Sequence, residues 1–175
     1  MKKYPGKALF FSVTILLCAA FIPAGAPAEK WRTVRNMEQV VYCVSLPLNG
    51  FKEDFEQSDV RGKHVFTHVR DKQRQITIQG MLRSEQQHAK TYFQQYFEFA
   101  EEEGKIIDYK KLDAKNNRFY CGGYWANHFY NTRFIEVVWL RKDELVKLEA
   151  VFPLKDTTVW KKHLTRLMQQ STNCK

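Results

Sequence analysis

One cysteine, two histidines and nearby carboxylate or amide residues are the side chains of this sequence that could assemble a thiol enzyme. Cys121 could be joined by His64 or His128 and by Asp108 or Asn127, because nucleophile, base and orienting group must meet in space. Cys121 does not lie at a glycine-flanked helix start, which would activate a thiolate. A small thiol- or histidine-dependent hydrolase is therefore an alternative function only, and no residue is assigned a catalytic role.

His64 and His68 are the candidate metal ligands with the closest spacing. They are four residues apart in a predicted strand, so both side chains point to the same face with Phe66 between them. That spacing places the two rings roughly 13 Å apart, which is too far for one metal ion. The sequence contains no Gly-x-Ser-x-Gly, His-Glu-x-x-His or phosphate-loop motif. We therefore expect no metal and no cofactor.

The densest aromatic stretch runs from residue 120 to residue 130 and contains the adjacent glycines Gly122 and Gly123. Flat rings beside glycine could stack on a sugar or receive an apolar peptide, because glycine allows close approach to the backbone. Aromatic residues also form strands and fill cores, and this alternative stays open. The residues predicted to bind a ligand are Tyr124, Trp125, His128 and Tyr130.

The first 28 residues have the organisation of a secretory signal peptide. Three lysines precede an apolar run at residues 8–22, whose length of about 22 Å is too short for a stable membrane span. An Ala-Pro-Ala sequence predicts cleavage after Ala28, leaving Glu29 at the N-terminus of a periplasmic or extracellular protein. Cys18 raises the alternative of a lipoprotein, but a large leucine precedes it where a small residue is expected.

Cleavage would leave residues 29–175 as a single domain of ordinary size. Losing three lysines lowers the formal net charge from +9 to +6, and the remaining basic residues are interleaved with acidic ones. Nucleic-acid binding favours a clustered basic stripe with stacking aromatics, so no nucleic-acid partner is predicted. A protein or envelope component is the expected partner. Contact with a membrane surface and the oligomeric state are left open.

Three cysteines remain after the predicted cleavage, namely Cys43, Cys121 and Cys174. An oxidising compartment favours one disulfide, and the odd number leaves one thiol over. Cys43 and Cys121 lie in strand-like runs, whereas Cys174 could tether a C-terminal helix. All three pairings remain open at this point.

Alternating apolar and polar residues predict antiparallel strands on both sides of a helix. The predicted strands cover residues 40–46, 63–69, 74–81, 106–112, 118–126, 134–140 and 145–152. Residues 51–62 are polar and are predicted to be irregular.

Two helices are predicted to cover this sheet. The first begins at a capping box formed by Ser84 and Gln87 and ends at Gly104. The second begins with Asp156 as its N-cap. Its predicted apolar face consists of Val159, Trp160, His163, Leu164, Leu167 and Met168. The fold class is therefore α+β, with an antiparallel sheet of about six or seven strands and two flanking helices.

This pattern of elements resembles the PsbP-like family over residues 38 to 172. The matching segments are Tyr42-Cys43-Val44-Ser45-Leu46-Pro47, Gly50-Phe51, Gln75-Ile76-Thr77-Ile78, the helix through Tyr92 and Phe93, Pro153 after the closing strand, and the helix with Trp160. The resemblance implies an antiparallel sheet flanked by helices. It also implies a non-catalytic binding or accessory role, often in an exported protein. No functional residue is carried over, because no family binding motif is matched.

The function that we predict from the sequence is an exported, non-catalytic binding or accessory protein that recognises a protein or cell-envelope ligand. Besides the hydrolase, a periplasmic immunity-type inhibitor is a second alternative. Small size and export suit such an inhibitor but are not specific to it.

Overall fold

The computed structural model describes residues 30–58, 62–83, 89–126 and 131–174. The predicted signal peptide and its cleavage site lie outside these residues. The predicted capping box and two of the predicted ligand-binding residues, His128 and Tyr130, also lie outside them.

The strands in the described residues pair into two antiparallel sheets. The smaller sheet consists of β1 (Trp31–Asn36) and β2 (Tyr42–Pro47). The larger sheet contains β3 (Phe51–Glu53), β4 (Lys63–His68), β5 (Asp71–Leu82), β6 (Lys105–Asp113), β7 (Arg118–Trp125), β8 (Thr132–Leu140) and β9 (Glu144–Pro153). Its spatial order is β3-β4-β5-β9-β8-β7-β6, so β6 forms one edge and β9 inserts between β5 and β8. The predicted α+β class is confirmed.

The two helices cover opposite faces of the larger sheet. Helix α1 (Ala89–Glu102) lies on one face, and helix α2 (Thr157–Met168) lies on the other together with the β1–β2 sheet. Strand β8 separates the two layers, because alternate side chains of a strand point to opposite faces. Phe134 and Val138 face α1, whereas Ile135 and Val137 face α2.

The main hydrophobic core lies between the larger sheet, the β1–β2 sheet and α2. Tyr42, Ile78 and Leu148 are fully buried there, and Trp160 of α2 stacks on Phe152 with ring centroids 5.2 Å apart. Burial of each such side chain contributes about 1.5–3 kcal/mol relative to exposure. This core therefore fixes α2 and the β1–β2 sheet against one face of the larger sheet.

Helix α1 packs an apolar face on the sheet. Phe97 and Ala100 are buried against the sheet, and Tyr92, Phe93 and Tyr96 are half-buried beside them. The helix ends before Gly104, whose φ of +73° is the left-handed conformation that glycine adopts readily after a helix. In the described residues, neither helix has the length and apolar character needed to cross a bilayer.

The structure corrects the predicted irregular segment at residues 51–62 and adds a strand near the start of the domain. Strand β3 is only three residues long, and β1 buries only Val34 and Asn36. Such short alternations are weak strand signals, because most of their side chains face solvent.

Two details of α2 also differ from the prediction. Asp156 makes no capping hydrogen bond and instead pairs with Arg74 at 2.8 Å, while the Thr157 hydroxyl donates to the Leu154 carbonyl. Val159 is 48% exposed and does not belong to the buried face. At that end of the helix, the larger Trp160 covers the core.

Candidate functional site

Cys121 lies in β7 beneath α1 and is completely buried. Its Sγ is 3.7 Å from Oε2 of Glu136, and burial raises the pKa of the Cys121 thiol to about 12. The thiolate is the nucleophilic form of cysteine, so a buried thiol with a raised pKa is a poor nucleophile near neutral pH. This environment disfavours the thiol-enzyme alternative at Cys121.

Cys43 and Cys174 form a disulfide, which decides between the pairings that the sequence left open. The bond joins β2 to the end of the described chain, and the Cys43 amide donates to the Thr172 carbonyl at 2.9 Å. Arg141 donates to the same carbonyl at 2.8 Å. The segment after α2 is therefore attached to the β1–β2 sheet by covalent and polar contacts.

His64 and His68 both have structural partners in the β3–β4 hairpin. Nδ1 of His64 lies 2.7 Å from Oε1 of Glu53, and the His68 ring packs edge-on against Phe51 at 5.1 Å. Within the described ranges, no group of three or more histidine, cysteine or acidic side chains could hold a metal ion. The two histidines thus contact neighbouring side chains within the hairpin.

Tyr124 and Trp125 occupy opposite faces of β7, because they are adjacent in a strand. The half-buried Trp125 ring packs on Phe134 with centroids 4.7 Å apart, and the Arg133 guanidinium lies 5.0 Å from the centre of the Tyr124 ring. The two rings therefore do not form one continuous platform. Their role in ligand binding remains a prediction, and their predicted companions lie outside the described residues.

The chain itself occupies the space beside Gly122 and Gly123. A side chain at position 122 would collide with the Tyr109 ring, and one at position 123 would collide with the Ile106 backbone. Strand β6 has an irregular register at this point, between Ile107 and Tyr109. The close approach expected at these glycines is thus an internal contact between β6 and β7.

A cluster of charged side chains lies between α1 and the sheet. Lys105 of β6 and Lys147 of β9 both contact Oε1 of Glu136, at 3.0 and 2.9 Å. Lys105 also lies 3.0 Å from Glu103 and 3.8 Å from Glu149. Glu136 and Glu149 are paired residues of β8 and β9, so the sheet register brings their carboxyl groups to the same place.

The cluster holds three carboxyl groups against two ammonium groups, so one proton is easily retained. The pKa of Glu136 is raised to about 8, mainly by burial and secondarily by a hydrogen bond with Glu149. Burial opposes ionisation of Glu149 too, but its hydrogen bond with Glu136 and the nearby Lys147 and Lys105 lower its pKa. Glu136 is completely buried, so its charge is compensated inside the protein, whereas Glu103 and Lys147 at the edge of the cluster reach solvent.

A groove of about 660 Å³ lies on the opposite face of the sheet, between α2 and the β6–β7 strands. Tyr109 and Tyr120 line it, with ring centroids 6.3 Å apart, and Leu164 and Met168 of α2 supply apolar surface. Its volume is within the range of ordinary ligand sites, which are about 300–1,000 Å³. The groove combines flat rings, apolar side chains and an open surface.

The groove is also basic, with Lys111, Arg118 and Lys161 among its lining residues. Nε of Arg118 pairs with Oδ2 of Asp113 at 2.9 Å. Hydrogen bonds from Asn116 and Arg118 lower the pKa of Asp113 and keep it ionised. In the part of the chain that the structure describes, Lys111 and Lys161 form no salt bridge, so the positive charge of the groove exceeds its negative charge.

Sequence reasoning did not predict this groove, although part of its signal is present in the sequence. Lys161, Leu164, Thr165 and Met168 recur at the spacing of one helix face. The sequence does not say which strands this face meets. Only the sheet order places Tyr109 and Tyr120 opposite α2.

Comparison with known proteins identifies the fold. No family model matches this chain, and no curated protein matches it either. The fold is PsbP-like, as the pattern of elements predicted. A similar solved structure is the solution structure of cyanobacterial PsbP (CyanoP) from Synechocystis sp. PCC 6803, with a TM-score of 0.58 and 8% sequence identity. The match covers 85% of this chain and 96% of that one. At this identity the likeness establishes the architecture alone.

Proposed function

We propose that this chain is an exported, non-catalytic accessory protein that binds a protein or a component of the cell envelope. The observation that carries the proposal is the groove between α2 and the β6–β7 strands. Its aromatic and apolar lining offers contact area, and its lysines Lys111 and Lys161 offer charge. This is the composition of a surface that recognises a partner.

The inner charged groups support a binding role over a catalytic one. Cys121 is buried and its raised pKa keeps it protonated, and Glu136 is enclosed with its lysine partners. A catalytic residue must reach its substrate, whereas Cys121 and Glu136 are completely buried. The groove itself contains a carboxylate, Asp113, that is already paired with Arg118.

Export is the part of the proposal that the N-terminal sequence supports. Expression of the full chain in a bacterial host, followed by fractionation and intact-mass measurement, tests it. We expect a periplasmic or secreted product that begins at Glu29. Recovery of the uncleaved chain in the cytoplasm would contradict export, and a lipid-sized mass at Cys18 would favour the lipoprotein alternative.

Site-specific photo-cross-linking tests the binding role in the envelope fraction. A photoreactive residue at Thr165, which lines the groove, is compared with the same residue at Lys72, which is exposed in β5. Three strands separate β5 from β6 in the sheet, so the two probes sample different surfaces. We expect a discrete adduct from Thr165 alone, and the same adducts from both positions, or none from either, would contradict the proposal.

A further inference from the structure

The dimensions of the groove between α2 and the β6–β7 strands suit an extended chain. The lining residues of α2 and its C-cap run from Lys161 to Gln169, a length of about 12 Å at the rise of a helix. Those of β6 run from Tyr109 to Asp113, a length of about 13 Å at the rise of a strand. An extended peptide rises about 3.3 Å per residue, so the groove accommodates about four residues.

The charges of the groove select the sign of its occupant. Nζ of Lys161 lies 5.4 Å from the centre of the Tyr109 ring. Lys111, which like Tyr109 belongs to β6, also lines the groove, whereas Arg118 forms a salt bridge with Asp113. Two ammonium groups without a carboxylate partner in the described chain therefore face the groove. Such groups attract carboxylates and repel cations, which gives a partner both faster association and selectivity.

The floor and the helical wall add a second requirement. Tyr109 and Tyr120 are half-buried, and Leu164 and Met168 continue the apolar surface along α2. Tyrosine rings and methionine adapt to apolar side chains, whereas a purely ionic ligand would leave this surface uncovered. The occupant must therefore carry apolar groups as well as acidic groups.

We propose that the groove between α2 and the β6–β7 strands binds an extended segment of a partner protein that carries both acidic and apolar side chains. This inference rests on the proposed function and names the chemistry of the partner. The side chains of an extended peptide point to opposite sides, so a bound segment contacts both walls of the groove. Lys111 lies on β6 and Lys161 on α2, so an acidic side chain can meet a lysine on either wall, while apolar side chains contact Leu164, Met168 and the tyrosines.

A labelled hexapeptide of alternating glutamate and leucine is the probe, and its fluorescence anisotropy is titrated with the chain that starts at Glu29. We expect saturable binding that weakens roughly tenfold in the variant Lys111→Glu with Lys161→Glu, because favourable pairs become repulsive. The matched control is Lys72→Glu with Lys142→Glu, which changes the net charge equally at two exposed positions. A peptide of alternating glutamine and leucine should bind at least tenfold more weakly.

A steric variant distinguishes binding of the peptide in the groove from general charge attraction to the protein surface. Thr165→Trp places a large ring in the groove, whereas Thr158→Trp adds the same ring to an exposed position of α2 that does not line it. We expect the first to weaken peptide binding and the second to leave it unchanged. Equal effects of the two tryptophans, or equal effects of the two charge-reversed variants, would overturn the proposal.

Vesicles of anionic phosphatidylglycerol test the membrane alternative with the same variants. Sedimentation with vesicles that depends on Lys111 and Lys161, without binding of the peptide, would replace the protein segment with a lipid surface. The Thr165 photo-adduct remains an independent readout of the accessory role. Its presence together with failure of the peptide would leave the proposed function standing and refute the acidic segment.

Discussion

The buried carboxyl of Glu136 makes the stability of the protein depend on pH. Its pKa is raised above the ordinary value of 4.5 to about 8, so the folded protein holds a proton that the unfolded chain releases in that interval. Stability contributed by this group therefore falls as the pH rises from about 5 to 8. The pKa of Glu149 is lowered, so this group affects stability in a different pH range. Its contribution to stability is lost only as the pH falls below 4.5, the ordinary pKa of a glutamate.

The variant Glu136→Gln tests this account, because it keeps the shape of a protonated carboxyl group. We expect it to approach the parent protein in free energy of unfolding near pH 5. Between pH 5 and 8 the parent should lose stability relative to the variant by up to about 1.4 kcal/mol per pH unit, the limit for one proton. Denaturant titrations at several pH values measure the difference, and a constant difference from pH 5 to 8 would refute the raised pKa.

The thiol of Cys121 should be inert while the protein is folded. Its burial and raised pKa suppress both access and ionisation. In the chain from Glu29, we expect no alkylation by iodoacetamide at pH 8 under native conditions. Denaturation without reductant should expose one thiol, and reduction should expose three. Rapid labelling of Cys121 in the folded protein would revive the thiol-enzyme alternative.

Residue-level reasoning from the sequence had mixed results, for a physical reason. The helix faces were readable, because spacing along one helix sets which residues share a side. The environment of Cys121 could not be predicted from the sequence, because the groups around it, Glu136 and Lys105, come from other strands. The disulfide between Cys43 and Cys174 likewise joins positions 131 residues apart, and only the fold brings them together.

At the scale of elements, the contact between β6 and β7 depends on the glycines of β7. Gly123→Ala should destabilise the protein by about 2–3 kcal/mol, because its Cβ meets the Ile106 backbone, which cannot yield. Gly122→Ala should cost less, because it meets the Tyr109 side chain. Combining Gly122→Ala with Tyr109→Leu should recover part of that loss. Chemical denaturation measures all three variants, and a neutral Gly123→Ala would contradict the packing.

Most elements were predictable because their patterns are long and regular. Strands β5 and β9 alternate over the central part of their length, β8 is a nearly continuous apolar run, and α1 carries an apolar face. The strands that escaped prediction, β1 and β3, bury too few side chains to produce an alternation that stands out. Asp156 was predicted as a cap from its type alone, but Arg74 from a distant strand engages it.

At the scale of the whole molecule, the disulfide between Cys43 and Cys174 joins β2 to the C-terminal end of the described domain. Replacing both cysteines with serine should lower the free energy of unfolding by about 2–4 kcal/mol, because the cross-link restricts the unfolded chain. Thermal unfolding with and without reductant checks this. Reductant should lower the Tm of the parent to that of the variant and leave the variant unchanged, whereas an insensitive parent would exclude a stabilising disulfide.

The groove exists only in the folded chain, because its walls come from segments that are distant in the sequence. Tyr109 and Tyr120 come from neighbouring strands, whereas Lys161 and Met168 come from a helix that follows β9. Their meeting depends on the sheet order, which places β7 and β6 beyond β8. A prediction based on local sequence instead favoured Tyr124 and Trp125, where aromatic residues are dense. Density in sequence and proximity in space are different quantities, and here they indicate different surfaces.

NMR measurement of backbone amide chemical shifts, during titration with the alternating glutamate and leucine peptide, tests whether the groove is the binding site. We expect the largest changes in residues 109–113, 118–120 and 161–169, the segments that line the groove. Largest changes at residues 122–126 would assign binding to the aromatic stretch, and the absence of any localised change would contradict a binding groove between α2 and the β6–β7 strands.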